Sequence, residues 1–134
     1  MVQIDTDIPG LMKQLRSFKR FEILRIAARD LNGMAPLEEV TRELSDLASA
    51  TLQMAYETCH QLLVQEYGMP LKQTPEGPRQ ALMTIFGMGK FGGRELNFSS
   101  DIDIIYFYET DTGETAGVDD GRGGRKGVIS LHTF

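Results

Sequence analysis

The sequence predicts an α+β fold, with a helical amino-terminal portion packed beside a small mixed sheet. Two observations carry that expectation. Up to residue 70, apolar side chains return every three or four positions, the period of an amphipathic helix. Beyond it lie two runs rich in β-branched and aromatic residues, Leu82-Met83-Thr84-Ile85-Phe86 and Asp101-Ile102-Asp103-Ile104-Ile105-Tyr106-Phe107-Tyr108, which read as strands joined through a glycine-rich turn. Residues 1–70 are therefore expected to form a helical lead-in and residues 71–134 a small core.

The first helix is expected to start around Asp7, Ile8 and Pro9, where an acid near the N-terminus and a proline in the first turn suit a helix start. Leu11, Leu15, Phe18, Phe21, Ile23, Leu24, Ile26, Ala27 and Leu31 carry it to Asn32-Gly33, where glycine accepts the left-handed conformation that closes a helix. Lys13, Arg16, Lys19, Arg20, Arg25 and Arg29 dominate its other faces. They are read as a solvated surface, with docking against the rest of a larger protein or against an acidic partner as the alternative. The second helix begins at Pro36, with Glu38 and Glu39 favoured by the positive end of the helix dipole. It runs to Tyr67, before Gly68 and Pro70, which is long for a globular helix and leaves room for a bend near Ser45-Asp46.

Met12, Met34, Met54 and Met69 are expected to fill gaps between helices. Cys59, beside Leu62 and Leu63, is expected to be a small buried thiol, and His60 has no second ligand at zinc spacing. Proline-rich residues 72–78 are expected to be a loop. The glycine- and acid-rich segment 109–126 is expected to be mobile. Residues 128–134 read as the start of a further helix, so the chain is expected to be a piece of a longer one.

The chemistry is expected between the two strands. Residues on alternate positions of a strand share a face, so Asp101 and Asp103 should project together, roughly 6 to 7 Å apart. Two like charges at the head of an apolar run that should be buried call for a cation, and a hard divalent ion such as Mg²⁺ takes carboxylate oxygens while keeping sites for water and phosphate. Gly87, Gly89, Gly92 and Gly93 remove Cβ atoms where backbone N–H groups must approach phosphate oxygens, and Lys90 adds a point charge. Ser99 and Ser100 either bond the same phosphate or simply form the turn.

Composition narrows the partners. A net charge of −5 and a pI near 5.0 argue against a nucleic-acid binder, whose phosphate contacts ask for a basic surface. The single cysteine excludes an internal disulfide and fits a reducing compartment. No stretch approaches the roughly 20 apolar residues of a membrane span. A soluble, cytoplasmic protein is expected.

The string GMGKFGGRELNFSSDIDIIYFY closely resembles the signature of the glutamine synthetase adenylyltransferase/deadenylylase family, two-headed regulators whose halves each carry a nucleotidyltransferase domain of the DNA polymerase β superfamily. The upstream LRSFKRFEILRIAARDLNG and LEEVTRELSDLASA also look like the helical lead-in of that family. The resemblance implies an incomplete polymerase-β-type core, with Asp101 and Asp103 holding two Mg²⁺ ions (Mn²⁺ as substitute) and a third carboxylate beyond Phe134; Glu109 and Asp111, past the far end of the same strand, are poor substitutes. It implies nucleotide and phosphate bound by residues 87–93 with Ser99 and Ser100, glutamine synthetase as protein substrate, and a nitrogen-signalling regulatory protein as partner. GMGK with ELNFSSDID is more similar to the AMP-removing half, which releases ADP by phosphorolysis. The alternatives are the AMP-adding half and a non-catalytic nucleotide sensor.

Overall fold

The computed structural model describes residues 8–134, so Asp7 of the expected first helix start lies outside the described residues. The fold is α+β, as predicted, with its strands distributed over three small sheets. The chain divides into two compact units, one taking it up to Glu57 together with Phe86–Ile105, the other comprising Thr58–Ile85 and Tyr106–Phe134.

In the first unit, helix α1 spans Ile8–Leu31 and helix α2, Leu37–Tyr67, enters it with its amino-terminal part. Gly33, at φ +63°, closes α1, and the N–H groups of Gly33 and Met34 bond the carbonyls of Asp30 and Arg29. That pairing satisfies carbonyls which the helix end would otherwise orphan. Pro36 accepts the N–H groups of Glu39 and Val40, starting α2. The core joins Ile26 of α1 to Val40, Leu44 and Leu47 of α2, with Phe91 and Leu96 inserted from the segment after the third strand. Arg25 and Arg29 reach across to Glu43, and Arg29 also to Glu39. At Glu43 burial pushes the carboxyl upward, but the hydrogen bonds from Arg25 and Arg29 outweigh it and hold the group below the usual carboxylate range.

Much of α1 stays outside this core. Phe18, Phe21, Leu24 and Leu31 were expected to be buried and are exposed. Met12, Met34 and Met54 are likewise exposed and fill no gap between helices, and the Cys59 thiol is exposed rather than buried. The reason is common to these positions: α2 covers one stripe of α1, and apolar residues elsewhere on the two helices have no layer over them among the described residues.

The second unit corrects the expected loop. Residues 72–78 belong to a hairpin of strand β1 (Pro70–Thr74) and strand β2 (Gly77–Gln80), antiparallel, with Thr74 opposite Gly77. Proline is tolerated here because Pro70 opens its strand and Pro78 lies on the edge strand β2, where a missing N–H costs no ladder bond. The segment expected to be mobile carries strand β5 (Glu114–Thr115), paired with β1, and strands β6 (Val118–Asp119) and β7 (Arg125–Lys126), paired with each other. Its order comes from polar side chains standing in for apolar burial. Thr115 is buried, donates to the Gly127 carbonyl and accepts the Ile129 N–H, while Asp120 accepts the N–H groups of Arg122 and Gly124. Residues 131–133 form a turn in place of the expected helix start.

Strands β3 (Met83–Gly87) and β4 (Ile104–Tyr108) form their own two-stranded sheet. Both apolar runs were expected to be buried. Phe86, Ile105, Tyr106, Phe107 and Tyr108 are instead exposed, because no further strand joins this pair among the described residues.

Candidate functional site

The glycine-rich turn is short and heavily constrained. β3 ends at Gly87, and after Met88 the chain makes one helical turn, α3 (Gly89–Gly92). Two glycines there are fixed by close approach: a Cβ on Gly92 would stand 2.5 Å from the Gly87 carbonyl oxygen, and one on Gly87 would stand 2.6 Å from the Phe91 ring. Gly89 has open space but a φ of +52°, which favours glycine. Gly93 has ordinary φ and its nearest neighbour at 3.4 Å, so neither strain nor crowding requires glycine there. Lys90 is exposed, and no ion pair to it is present among the described residues.

Three anchors tie α3 and the residues after it to the longer helices of the same unit. Phe91 and Leu96 are buried in the core. The hydroxyl of Ser45, only 1% exposed, donates to the Thr41 carbonyl at 2.8 Å and accepts the Leu96 N–H at 3.2 Å. Arg94, held at φ +58°, pairs with Asp46. Sequence reasoning weighted the glycines and missed these anchors. The one signal for them was a phenylalanine standing alone inside a glycine run, as a plug does.

Residues 97–100 fold on themselves. Asn97 Oδ1 accepts from the Ser99 N–H and from the Ser100 hydroxyl, which in turn accepts the Asn97 N–H. Ser100 thus builds the turn with its side chain, whereas Ser99 enters through its backbone. Asp101 and Asp103 follow, both exposed. They stand just before β4, which starts at Ile104, rather than within the strand as expected. The Asp103 carbonyl accepts the Met88 N–H at 2.8 Å. That bond joins the D-x-D segment to the glycine turn, and the ladder stops there because the opposite chain turns away into α3.

Among the described residues no three His, Cys, Asp or Glu side chains gather to hold a metal. Glu109 is engaged elsewhere: its carboxylate bonds Lys72 at 2.7 Å and accepts the Leu82 N–H at 3.0 Å, and Lys72 followed by that backbone bond holds its pKa low. A hard cation takes carboxylate oxygens and keeps the rest of its shell for water and phosphate, so Asp101 and Asp103 are the side chains of this segment that could hold one.

Comparison with known proteins adds the family. A family model described as glutamate-ammonia ligase adenylyltransferase matches residues 1–131. A Thioalkalivibrio sulfidiphilus protein is 46% identical over 117 residues, covering 87% of this chain and 12% of the relative. A Burkholderia pseudomallei protein is 47% identical over 125 residues, 93% of this chain and 12% of the relative, and one from Aromatoleum aromaticum is 47% identical over 111 residues, 83% and 11%. All three are named bifunctional glutamine synthetase adenylyltransferase/adenylyl-removing enzyme. The chain therefore spans about an eighth of the length of these curated relatives. No solved structure matches it. No helix among the described residues is long and apolar enough to cross a membrane. With a family model over nearly its whole length, this chain belongs to the glutamate-ammonia ligase adenylyltransferase family.

Proposed function

We propose that the chain is part of a nucleotidyltransferase that removes AMP from a tyrosine of adenylylated glutamine synthetase by phosphorolysis. The observation that carries this reading is the bond from the Met88 N–H to the Asp103 carbonyl, which ties the backbone of the D-x-D segment to the glycine turn. The relatives' shared name supports the protein substrate.

In this reading Asp101 and Asp103 are the metal ligands, and the backbone at Gly89 and Lys90, the Lys90 ammonium and the Ser99 hydroxyl form the phosphate grip; contrary to expectation the N–H groups of Gly92 and Gly93 are spent on the Met88 and Gly89 carbonyls, Gly87 makes room for Phe91, and Ser100 shapes the turn behind. Bound magnesium would supply charge neutralisation at the phosphorus centre and activation of the attacking oxygen. The chain's own residues orient the reactants. Lys90 draws the inorganic phosphate towards the turn, and the open space at Gly89 leaves its oxygens access to backbone N–H groups. An oxygen of inorganic phosphate forms a bond to the AMP phosphorus, the bond to the tyrosine oxygen breaks, and the phenolate takes a proton from water. ADP and unmodified tyrosine leave. A nitrogen-signalling protein is the proposed regulator.

The test is a chimera in which this chain replaces its counterpart in the Burkholderia relative, with and without Asp101→Asn. Loss of ADP release from adenylylated synthetase, with adenylylation intact, supports the proposal. Loss of adenylylation alone assigns the chain to the opposite half. Retention of both activities removes Asp101 from the chemistry.

A further inference from the structure

Among the described residues, Arg94 is the only one other than glycine whose φ lies in the left-handed region, at +58°. Glycine takes that conformation freely, whereas a Cβ crowds the carbonyl that follows it. The same residue reaches α2 through its ion pair with Asp46. The two side chains are 59% and 55% exposed, and an exposed pair of this kind adds little to stability. As a stabilising contact the pair does not offset the strained backbone, so glycine at residue 94 should fold as well as arginine does. A residue held away from the favoured backbone regions by its surroundings points to a geometry that function needs.

What the pair holds is the path into the acidic segment. Arg94 is pinned to Asp46, and Leu96 to the neighbouring Ser45 on the same helix. From Leu96 the chain enters the closed turn in which Asn97 and Ser100 bond each other, and it then reaches Asp101. Downstream, the Asp103 carbonyl is fixed by the Met88 N–H. The D-x-D segment thus runs between one pin on α2 and another on the glycine turn. We infer, resting on the reading of those acids as metal ligands, that Arg94 and Asp46 are positioning residues for the proposed reaction, fixing through α2 where the chain delivers Asp101 and Asp103. The long arginine side chain spans to α2, which glycine, the unstrained choice, has no means to do.

The test uses the Burkholderia chimera and, without metal, the 134-residue chain. Arg94→Gly keeps the backbone of residue 94 and removes the pair. The urea midpoint of the chain should stay close to the parent's, whereas hydrogen exchange at the Met88, Ser99 and Ser100 amides should quicken about three- to fivefold, the range an exposed pair can supply. In the chimera, kcat for whichever activity Asp101→Asn removes should fall about tenfold or more, since small displacements of reacting groups are costly, with KM for the synthetase unchanged. Asp46→Arg combined with Arg94→Asp restores the pair in reverse, and aspartate tolerates the left-handed backbone, so exchange and kcat should both recover most of the loss. Three results would overturn the inference: Arg94→Gly turning over like the parent, a kcat loss that merely tracks a fallen urea midpoint, or a reversed pair that restores nothing, which would make Arg94 a direct contact of the substrate. Failure of the proposed reaction looks different, because Asp101→Asn then keeps both activities and the positioning role falls with it.

Discussion

Replacing Ser45 by alanine tests how the candidate site is held. The hydroxyl is almost wholly buried and is the partner of the Leu96 N–H, which is itself buried. Alanine leaves that donor unsatisfied, at a cost of about 1–3 kcal/mol. It also improves helix propensity by up to about 0.5 kcal/mol, because serine in a helix interior competes for backbone bonds. The net expectation is a loss of about 1–2 kcal/mol, roughly a 5- to 30-fold drop in the folding equilibrium. The chain has no tryptophan, so urea unfolding is best followed by far-UV circular dichroism. Hydrogen exchange at Leu96 should quicken in parallel. Ser49→Ala is the control, since that hydroxyl bonds only the Ser45 carbonyl one turn back, at 3.0 Å, and its loss should be near neutral. If Ser45→Ala behaves like Ser49→Ala in both measurements, the clamp between α2 and the site segment is not real.

Four further outcomes rest on the geometry. Gly92→Ala should destabilise by about 1–3 kcal/mol, because its Cβ collides with the Gly87 carbonyl, while Gly93→Ala should be neutral or slightly stabilising; paired urea melts check both. Glu43 has a depressed folded-state pKa, so its contribution is present above the ordinary carboxylate range and is lost as pH falls through the lower folded value; Glu43→Gln should flatten the acid limb of a stability–pH curve. Mn²⁺ titration followed by electron paramagnetic resonance should find one weak site in this chain, abolished by Asp101→Asn and by Asp103→Asn, and persistence of the signal in either variant would refute their role as ligands. The 134 residues alone should release no ADP from adenylylated synthetase, since among the described residues no three acidic side chains gather to hold a metal; turnover in a coupled ADP assay would overturn this.

The helices were legible because their ends carry local chemistry. Gly33 and Gly68 sit at positive φ just where the periodic pattern stops, and Pro36 opens α2 as expected. Burial was less legible, because period alone says that a stripe exists and not what covers it; Leu24 and Ile26 look alike in sequence, yet only Ile26 meets α2. The hairpin at 70–80 was hidden by its prolines, which suggest a loop unless the edge strand is known. Order in segment 109–126 was missed because aspartate and threonine side chains, not apolar burial, provide it. At the candidate site the acids and glycines were visible as composition. The anchors at Ser45, Phe91 and Leu96 were not, since their meaning depends on a contact some fifty residues away along the chain.

The close seating of the Phe91 ring on Gly87 couples two positions that heredity can otherwise vary one at a time. A lineage that gained even a methyl group at residue 87 would have to accept a smaller side chain at residue 91, and the intermediate carrying one change alone would be disfavoured. Substitutions there should accordingly travel in pairs, so the two sites act as a single unit of descent in any descendant that keeps this turn.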